Sequence, residues 1–264
     1  MSPVFELKDL YAGYDELKVL HGINLTIRKG DFIAIIGPNG AGKSTILKAM
    51  AGLIKPFSGE ILFKSLPMAG YSRRDLALNF SVVRQFQENI LPFTVIEFIK
   101  LGRFPHQKLL QMETDIDRKT VSDSIKMTGI SHLLKRQITE LSGGEQQLVF
   151  ITQALVQNSD TIILDEPVSH LDINHTTMIM DILHRLNLQG TTVITVLHDM
   201  NIASDYCSRI CALKDGEIFF NGSPEEVLKY NLIEELFETP CVVLENPITK
   251  KPFVYPVPEY ITKK

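Results

Sequence analysis

Residues 37–45 read Gly37-Pro38-Asn39-Gly40-Ala41-Gly42-Lys43-Ser44-Thr45. The spacing is G-x-x-x-x-G-K-S, a phosphate-cradling P-loop pattern. The apolar run Phe32-Ile33-Ala34-Ile35-Ile36 precedes it, and the helix-forming run Thr45-Ile46-Leu47-Lys48-Ala49-Met50-Ala51 follows. The loop is therefore expected between a buried strand and a helix N-terminus. Glycines let the backbone bend so that successive N–H groups converge, and the helix end adds roughly half a positive charge there. Lys43 is expected to reach the terminal phosphates of a nucleotide, and the Ser44 hydroxyl to ligate Mg²⁺. A bare glycine-rich turn would match this pattern by chance in about one chain in a hundred of this length. The strand and helix around it lower that further.

The rest of the 264 residues bounds what such a loop can serve. Apolar content of 44% and charged content of 22% are those of an ordinary globule. The net charge of −4 leaves no basic excess for a nucleic-acid footprint, so no nucleic-acid partner is expected. Cys207, Cys211 and Cys241 form no recognisable ligand set, and a sparse, odd count fits a reducing compartment. The start, Met1-Ser2-Pro3-Val4-Phe5-Glu6, reads as strand and not as a leader. No apolar run approaches the ~20 residues of a membrane helix, so any membrane link is expected through a partner.

Outward from the loop, residues 4–8 and 17–28 read as strands, as do 59–63 and 78–84. Residues 94–102, 113–129 and 144–157 carry apolar residues at helical spacing. A second strand–helix stretch follows, with strands at 161–164 and 191–197 and a helix at about 174–189. Residues 209–213 and 217–220 flank Asp215-Gly216 as a hairpin. From 223 onward the chain reads as a short helix at 225–229, extending at most to 238, and then an extended appendage marked by Pro240, Pro247, Pro252, Pro256 and Pro258. Strands alternating with helices predict a mostly parallel sheet.

Three further places carry chemistry. Thr161-Ile162-Ile163-Leu164-Asp165-Glu166 is an apolar strand ending in two carboxylates, and unpaired charge beside a core is costly. Asp165 can hold Mg²⁺ through water as the acid partner of a P-loop, and Glu166 can polarise an attacking water. His198 closes the apolar run Val193-Ile194-Thr195-Val196-Leu197, on the sheet edge where ligands bind, and is expected to contact the γ-phosphate. Leu141-Ser142-Gly143-Gly144-Glu145-Gln146 opens a helix with an S-x-x-E capping box. A capping box needs no glycines, so Ser142, Gly143 and Gly144 read as a second anion site.

Together these residues resemble the nucleotide-binding subunits of ABC transporters, over residues 4 to about 228. Residues 37–45 resemble that family's P-loop, 141–146 its LSGGQ signature and 162–166 its Walker B strand with catalytic Glu. Ser169-His170-Leu171-Asp172 is similar to its D-loop, and His198 to its switch histidine. Tyr14 resembles the aromatic that stacks on adenine, with Tyr11 as competitor. Gln85 resembles the Q-loop glutamine because it directly ends the strand at 78–84, with Gln87 as competitor. Residues 91–95 and 101–106, with Leu197-His198-Asp199-Met200-Asn201-Ile202-Ala203, resemble the importers of iron chelates, haem, vitamin B12 and metal ions. Glu145, Gln146, Gln153 and Val168 depart from the commoner residues, and no departure removes a catalytic group.

The resemblance implies a RecA-like α/β core with an N-terminal antiparallel β region and a helical lobe inserted at about 86–157. The ATPase domain would span 1–228, and 229–264 would be a C-terminal extension. It implies ATP with Tyr14 on the base, and Mg²⁺ among Ser44, Gln85 and Asp165. Glu166, Lys43, His198 and Gln85 would carry the chemistry, and the partner's Ser142, Gly143 and Gly144 would close on the γ-phosphate in a head-to-tail homodimer. Two membrane permease subunits would be the direct partners, a substrate-binding protein an indirect one, and the location the cytoplasmic face of the cell membrane. The rival reading is an ABC-type ATPase that works without a permease, in assembly or on nucleic acid or ribosomes. Such proteins usually carry long coiled coils or two ATPase domains, and this chain shows neither.

Overall fold

The first strand runs well beyond the expected 4–8, while the second matches the expected 17–28. A computed structural model of the chain describes residues 2–84, 92–107 and 113–262. In it β1 (Pro3–Tyr14) pairs antiparallel with β2 (Leu17–Arg28). Shifts in their register let both run on through Asp9, whose backbone is left-handed (φ 44°). Such bulges break the two-residue period that marks a strand in sequence. β3 (Phe32–Ile36) is buried at every position and feeds the loop that opens α1 (Lys43–Met50). β4 (Ser58–Phe63) pairs with β1, and β5 (Leu66–Pro67) with β4, giving a four-stranded antiparallel sheet in the order β2-β1-β4-β5. Phe5 and Phe63 pack at 4.9 Å between ring centroids in its core.

The chain divides into two compact units: residues 1–68 with 194–264, and residues 69–193. The second unit begins with α2 (Arg73–Asn79), held by a reciprocal cap between Ser72 and Asp75. This helix overturns the expected strand start at 78: β6 (Phe80–Val83) begins only after α2 ends. No residue of α2 is buried, so no apolar stripe announces it. Next come α3 (Val95–Lys100), a 3₁₀ stretch at Leu101–His106, α4 (Asp115–Thr128) and α5 (Gly143–Val156). Thr94–Glu97, Thr114–Asp117 and Ser142–Glu145 cap the three helices reciprocally. β7 (Thr161–Asp165) lies parallel to β6, pairing Phe80 with Thr161 through Val83 with Leu164. After α6 (Ile173–Leu188), the first residue of β8 (Thr192–Val196) donates its N–H to Asp160 O.

The division between the units falls inside β8. In the first unit Leu197, just past that strand, donates its N–H to Ile35 O of β3. α7 (Met200–Tyr206) leads to β9 (Arg209–Lys214), which runs parallel to β3 and turns at Asp215-Gly216 into antiparallel β10 (Glu217–Gly222). Short helices α8 (Pro224–Val227) and α9 (Tyr230–Phe237) follow. The proline-marked tail is no extended appendage. β11 (Cys241–Glu245) and β12 (Pro252–Pro256) form a hairpin, and α10 (Glu259–Thr262) ends the described chain. Asn201 of α7 holds the hairpin by two bonds to the backbone of Val254, and Ser204 donates its hydroxyl to Pro252 O. Prolines survive there because this two-stranded sheet has only edge strands.

Candidate functional site

Three loop glycines hold left-handed backbone, at φ 147° (Gly37), 82° (Gly40) and 95° (Gly42). At Gly37 a Cβ would lie 2.2 Å from Leu213 O of β9, so the loop passes too close to the neighbouring strand for any side chain. α1 starts at Gly42 with no side-chain cap and no acid in its first turn. Its leading N–H groups and dipole therefore point at the loop without an internal anion to meet them. The Lys43 ammonium donates to Gly37 O and Pro38 O, both at 2.8 Å, which turns this buried side chain into the loop. The Lys43 cation and the uncapped start of α1 thus both lie at this loop.

Two more predicted residues belong to this unit. Tyr14 ends β1 with an exposed ring beside α1: its hydroxyl accepts a bond from Lys48 Nζ at 3.0 Å, and that ammonium lies 5.2 Å from the ring centroid. Tyr11 has its ring set edge-on to His21 and its hydroxyl against Gly22. His198 is exposed at the end of the β8 run, one residue past the Leu197–Ile35 bond and so at the edge where β3 becomes the loop. Asp199, beside it, accepts from the N–H groups of Asn201 and Ile202 and starts α7.

The second unit carries the acids and the signature turn. Asp165 is the last residue of β7, half-buried. Glu166 follows with left-handed backbone (φ 51°), and the Ser169 hydroxyl donates to its Oε2 at 2.9 Å. A non-glycine residue in that region costs about 1–2 kcal/mol, and such outliers cluster at functional sites. The Ser142 hydroxyl and N–H both donate to Glu145 Oε2 at 2.9 Å, leaving Ser142 and Gly143 exposed on the first turn of α5. Bonds from the Ser142 backbone and hydroxyl hold the Glu145 carboxyl below its ordinary range. Two departures from the family pattern thus have work within the turn: Glu145 caps it, and Gln146 donates to Ile138 O and Leu141 O.

One residue that sequence reading passed over belongs here. His175 sits in the first turn of α6, its ring bonded to Asp172 and laid against Gly144. The D-x-x-H spacing from Asp172 was the available signal. Gln85, and its competitor Gln87, lie outside the described residues. Among the described residues no helix is long and apolar enough to cross a membrane.

Known proteins resemble this chain over most of its length. The family model described as ABC transporter matches residues 20–169. The petrobactin import ATP-binding protein FpuD of Bacillus anthracis is 34% identical, over 97% of this chain and 94% of its own length. The ferric enterobactin transport ATP-binding protein FepC of Escherichia coli K12 is also 34% identical, over 95% and 93%. The dimeric structure of the bacterial ABC cassette MJ0796 superposes with a TM-score of 0.73 at 31% identity, covering 83% of this chain and 98% of that one. The chain belongs to the ABC transporter family, as an ATP-binding subunit of the kind that hydrolyses ATP to power import. That membership carries the P-loop NTPase fold with it, and the rival reading without a permease is not favoured.

Proposed function

We propose that this chain powers the uptake of a ferric chelate, or of a related haem, cobalamin or metal cargo. It would act as a head-to-tail homodimer at the cytoplasmic face of the cell membrane, bound to two permease subunits that receive cargo from a separate binding protein. The observation that carries the reading is the loop at 37–42, with its left-handed glycines, its uncapped helix and Lys43 turned inward. FpuD and FepC, both named for iron-chelate uptake, support the cargo class.

Each residue has a task in this reading. Tyr14 lies against the base, and residues 37–45 wrap the phosphates. Lys43 and His198 stabilise the charge that spreads over the transferred phosphoryl group. Glu166 orients water for in-line attack, and its bond from Ser169 fixes the carboxylate's direction. Ser142, Gly143 and Gly144 of the partner subunit cover the γ-phosphate. The Ser44 hydroxyl and Asp165 carboxylate are hard oxygen donors of the type Mg²⁺ prefers, with Gln85 as a further ligand. Bound there, Mg²⁺ would neutralise charge on the phosphate oxygens.

The test uses Glu166→Gln. This variant is expected to bind ATP, lose turnover and elute as a dimer with ATP and a monomer without it. Normal hydrolysis, or no ATP-dependent dimer, would count against the sandwich. For cargo, a strain lacking this chain should lose uptake of ⁵⁵Fe-labelled siderophore and regain it on complementation. Unchanged uptake of every ferric chelate, haem and cobalamin would overturn the cargo class.

A further inference from the structure

His175 lies outside the nucleotide-binding motifs, yet it joins two of them. It is the third residue of α6, whose N-cap is Asp172. Both Asp172 carboxylate oxygens go to this one residue: Oδ1 accepts from the His175 N–H at 2.9 Å, and Oδ2 meets ring Nδ1 at 2.7 Å. Those bonds hold the Asp172 carboxyl below its ordinary range. With backbone and ring both tethered, the imidazole has one orientation.

That orientation lays the ring on Gly144. A Cβ at Gly144 would fall 2.6 Å from His175 Cγ, 2.7 Å from Cδ2 and 2.9 Å from Nδ1. The preceding glycine differs: a Cβ at Gly143 would meet nothing within 4 Å. So the first signature glycine is open and the second is walled by an imidazole that belongs to the other helix. The N-termini of α5 and α6 are thereby locked together across 31 positions of sequence. A flat ring is the shape that can lie on a glycine backbone, and Nδ1 is the donor that keeps it there.

We infer that His175 is a positioning residue for ATP-driven dimer closure: its ring, held by Asp172, sets the Gly144 backbone and ties the signature turn to the loop at 166–172. The inference rests on the reading that residues 142–144 of the partner subunit cover the γ-phosphate. A closure that shifts the signature turn then also shifts the segment carrying Glu166 and Ser169. Binding of ATP to the subunit's own P-loop does not involve this contact.

The experiment places His175→Ala and His175→Phe in the Glu166→Gln background. Two quantities are read: the affinity of the monomer for a fluorescent ATP analogue, and the ATP concentration that gives half-maximal dimer. His175→Ala is expected to leave the first within about twofold and raise the second at least about tenfold. His175→Phe keeps a ring against Gly144 but loses the Nδ1 bond to Asp172, and should recover only part of the loss. His175→Ala dimerising like its parent, or weakening both quantities equally, overturns the proposal. So does His175→Phe performing no better than alanine at an unchanged thermal midpoint. A parent that never dimerises with ATP sinks the sandwich reading and this proposal with it. A parent that dimerises while His175→Ala matches it sinks this proposal alone.

Discussion

Replacing Arg103 by methionine tests the structure where its energetics are most exposed. Arg103 and Asp117 are both buried, and Arg103 Nε donates to Asp117 Oδ1 at 2.7 Å. Arg103 Nη1 also donates to Val156 O at the last turn of α5, where a cation suits the helix dipole. Burial pushes the Asp117 carboxyl up, but the Thr114 hydroxyl and amide and the Arg103 guanidinium outweigh it and bring it to about 2. Methionine keeps the stem and deletes the charge. Breaking a buried pair from one side costs roughly 3–5 kcal/mol. Asp117 would keep its two bonds from Thr114, which sets the loss at the low end, about 3 kcal/mol. In a chain of this size that is a thermal midpoint lower by about 6–12 °C. The double variant Arg103→Met, Asp117→Asn removes the stranded charge and should recover at least about 1 kcal/mol. The pH dependence has a fixed sign. A carboxyl held low when folded stabilises the fold above its unfolded value near 4, and that contribution fades as pH falls toward 2. The gap between wild type and Arg103→Met should therefore be full at neutral pH and narrow below about pH 4. Thermal and urea melts from pH 3 to 7 read all of this. A single variant costing under about 1 kcal/mol at pH 7, or a double variant no better than the single, would refute the reasoning.

Lys43→Ala should lower steady-state ATP turnover by at least about a hundredfold, near 3 kcal/mol, with the fold retained; activity within twofold of wild type would remove Lys43 from the phosphates. Gly37→Ala should destabilise far more than Gly40→Ala, because only the first sets a Cβ against a neighbouring backbone carbonyl, at 2.2 Å from Leu213 O. Equal melting midpoints for the two variants would contradict the close approach of the loop to β9. Gln85→Ala is expected to keep nucleotide binding and lower the cargo moved per ATP in reconstituted transporter; an unchanged ratio would deny Gln85 a coupling role.

The P-loop, the paired acids at 165 and 166 and the signature turn were legible in the sequence because their chemistry is local. Glycine spacing, a lysine one residue into a helix, and carboxylates directly after an apolar strand each state their purpose within ten residues. The core strands Phe32–Ile36, Thr161–Asp165 and Thr192–Val196 were legible for a related reason: buried parallel strands read as unbroken apolar runs. What escaped was whatever buried little or broke its period. α2 buries no residue fully and rests on a Ser72–Asp75 cap, β1 passes through a bulge at Asp9, and the hairpin Cys241–Glu245 with Pro252–Pro256 is disguised by prolines. Only the tertiary structure could set Leu213 O against Gly37, the Tyr11 ring against His21 and the Tyr14 hydroxyl on Lys48, and lay His175 on Gly144. Those pairings join residues from 10 to 176 positions apart in the chain. Their geometry follows from how packed elements meet, which no local pattern of residues encodes.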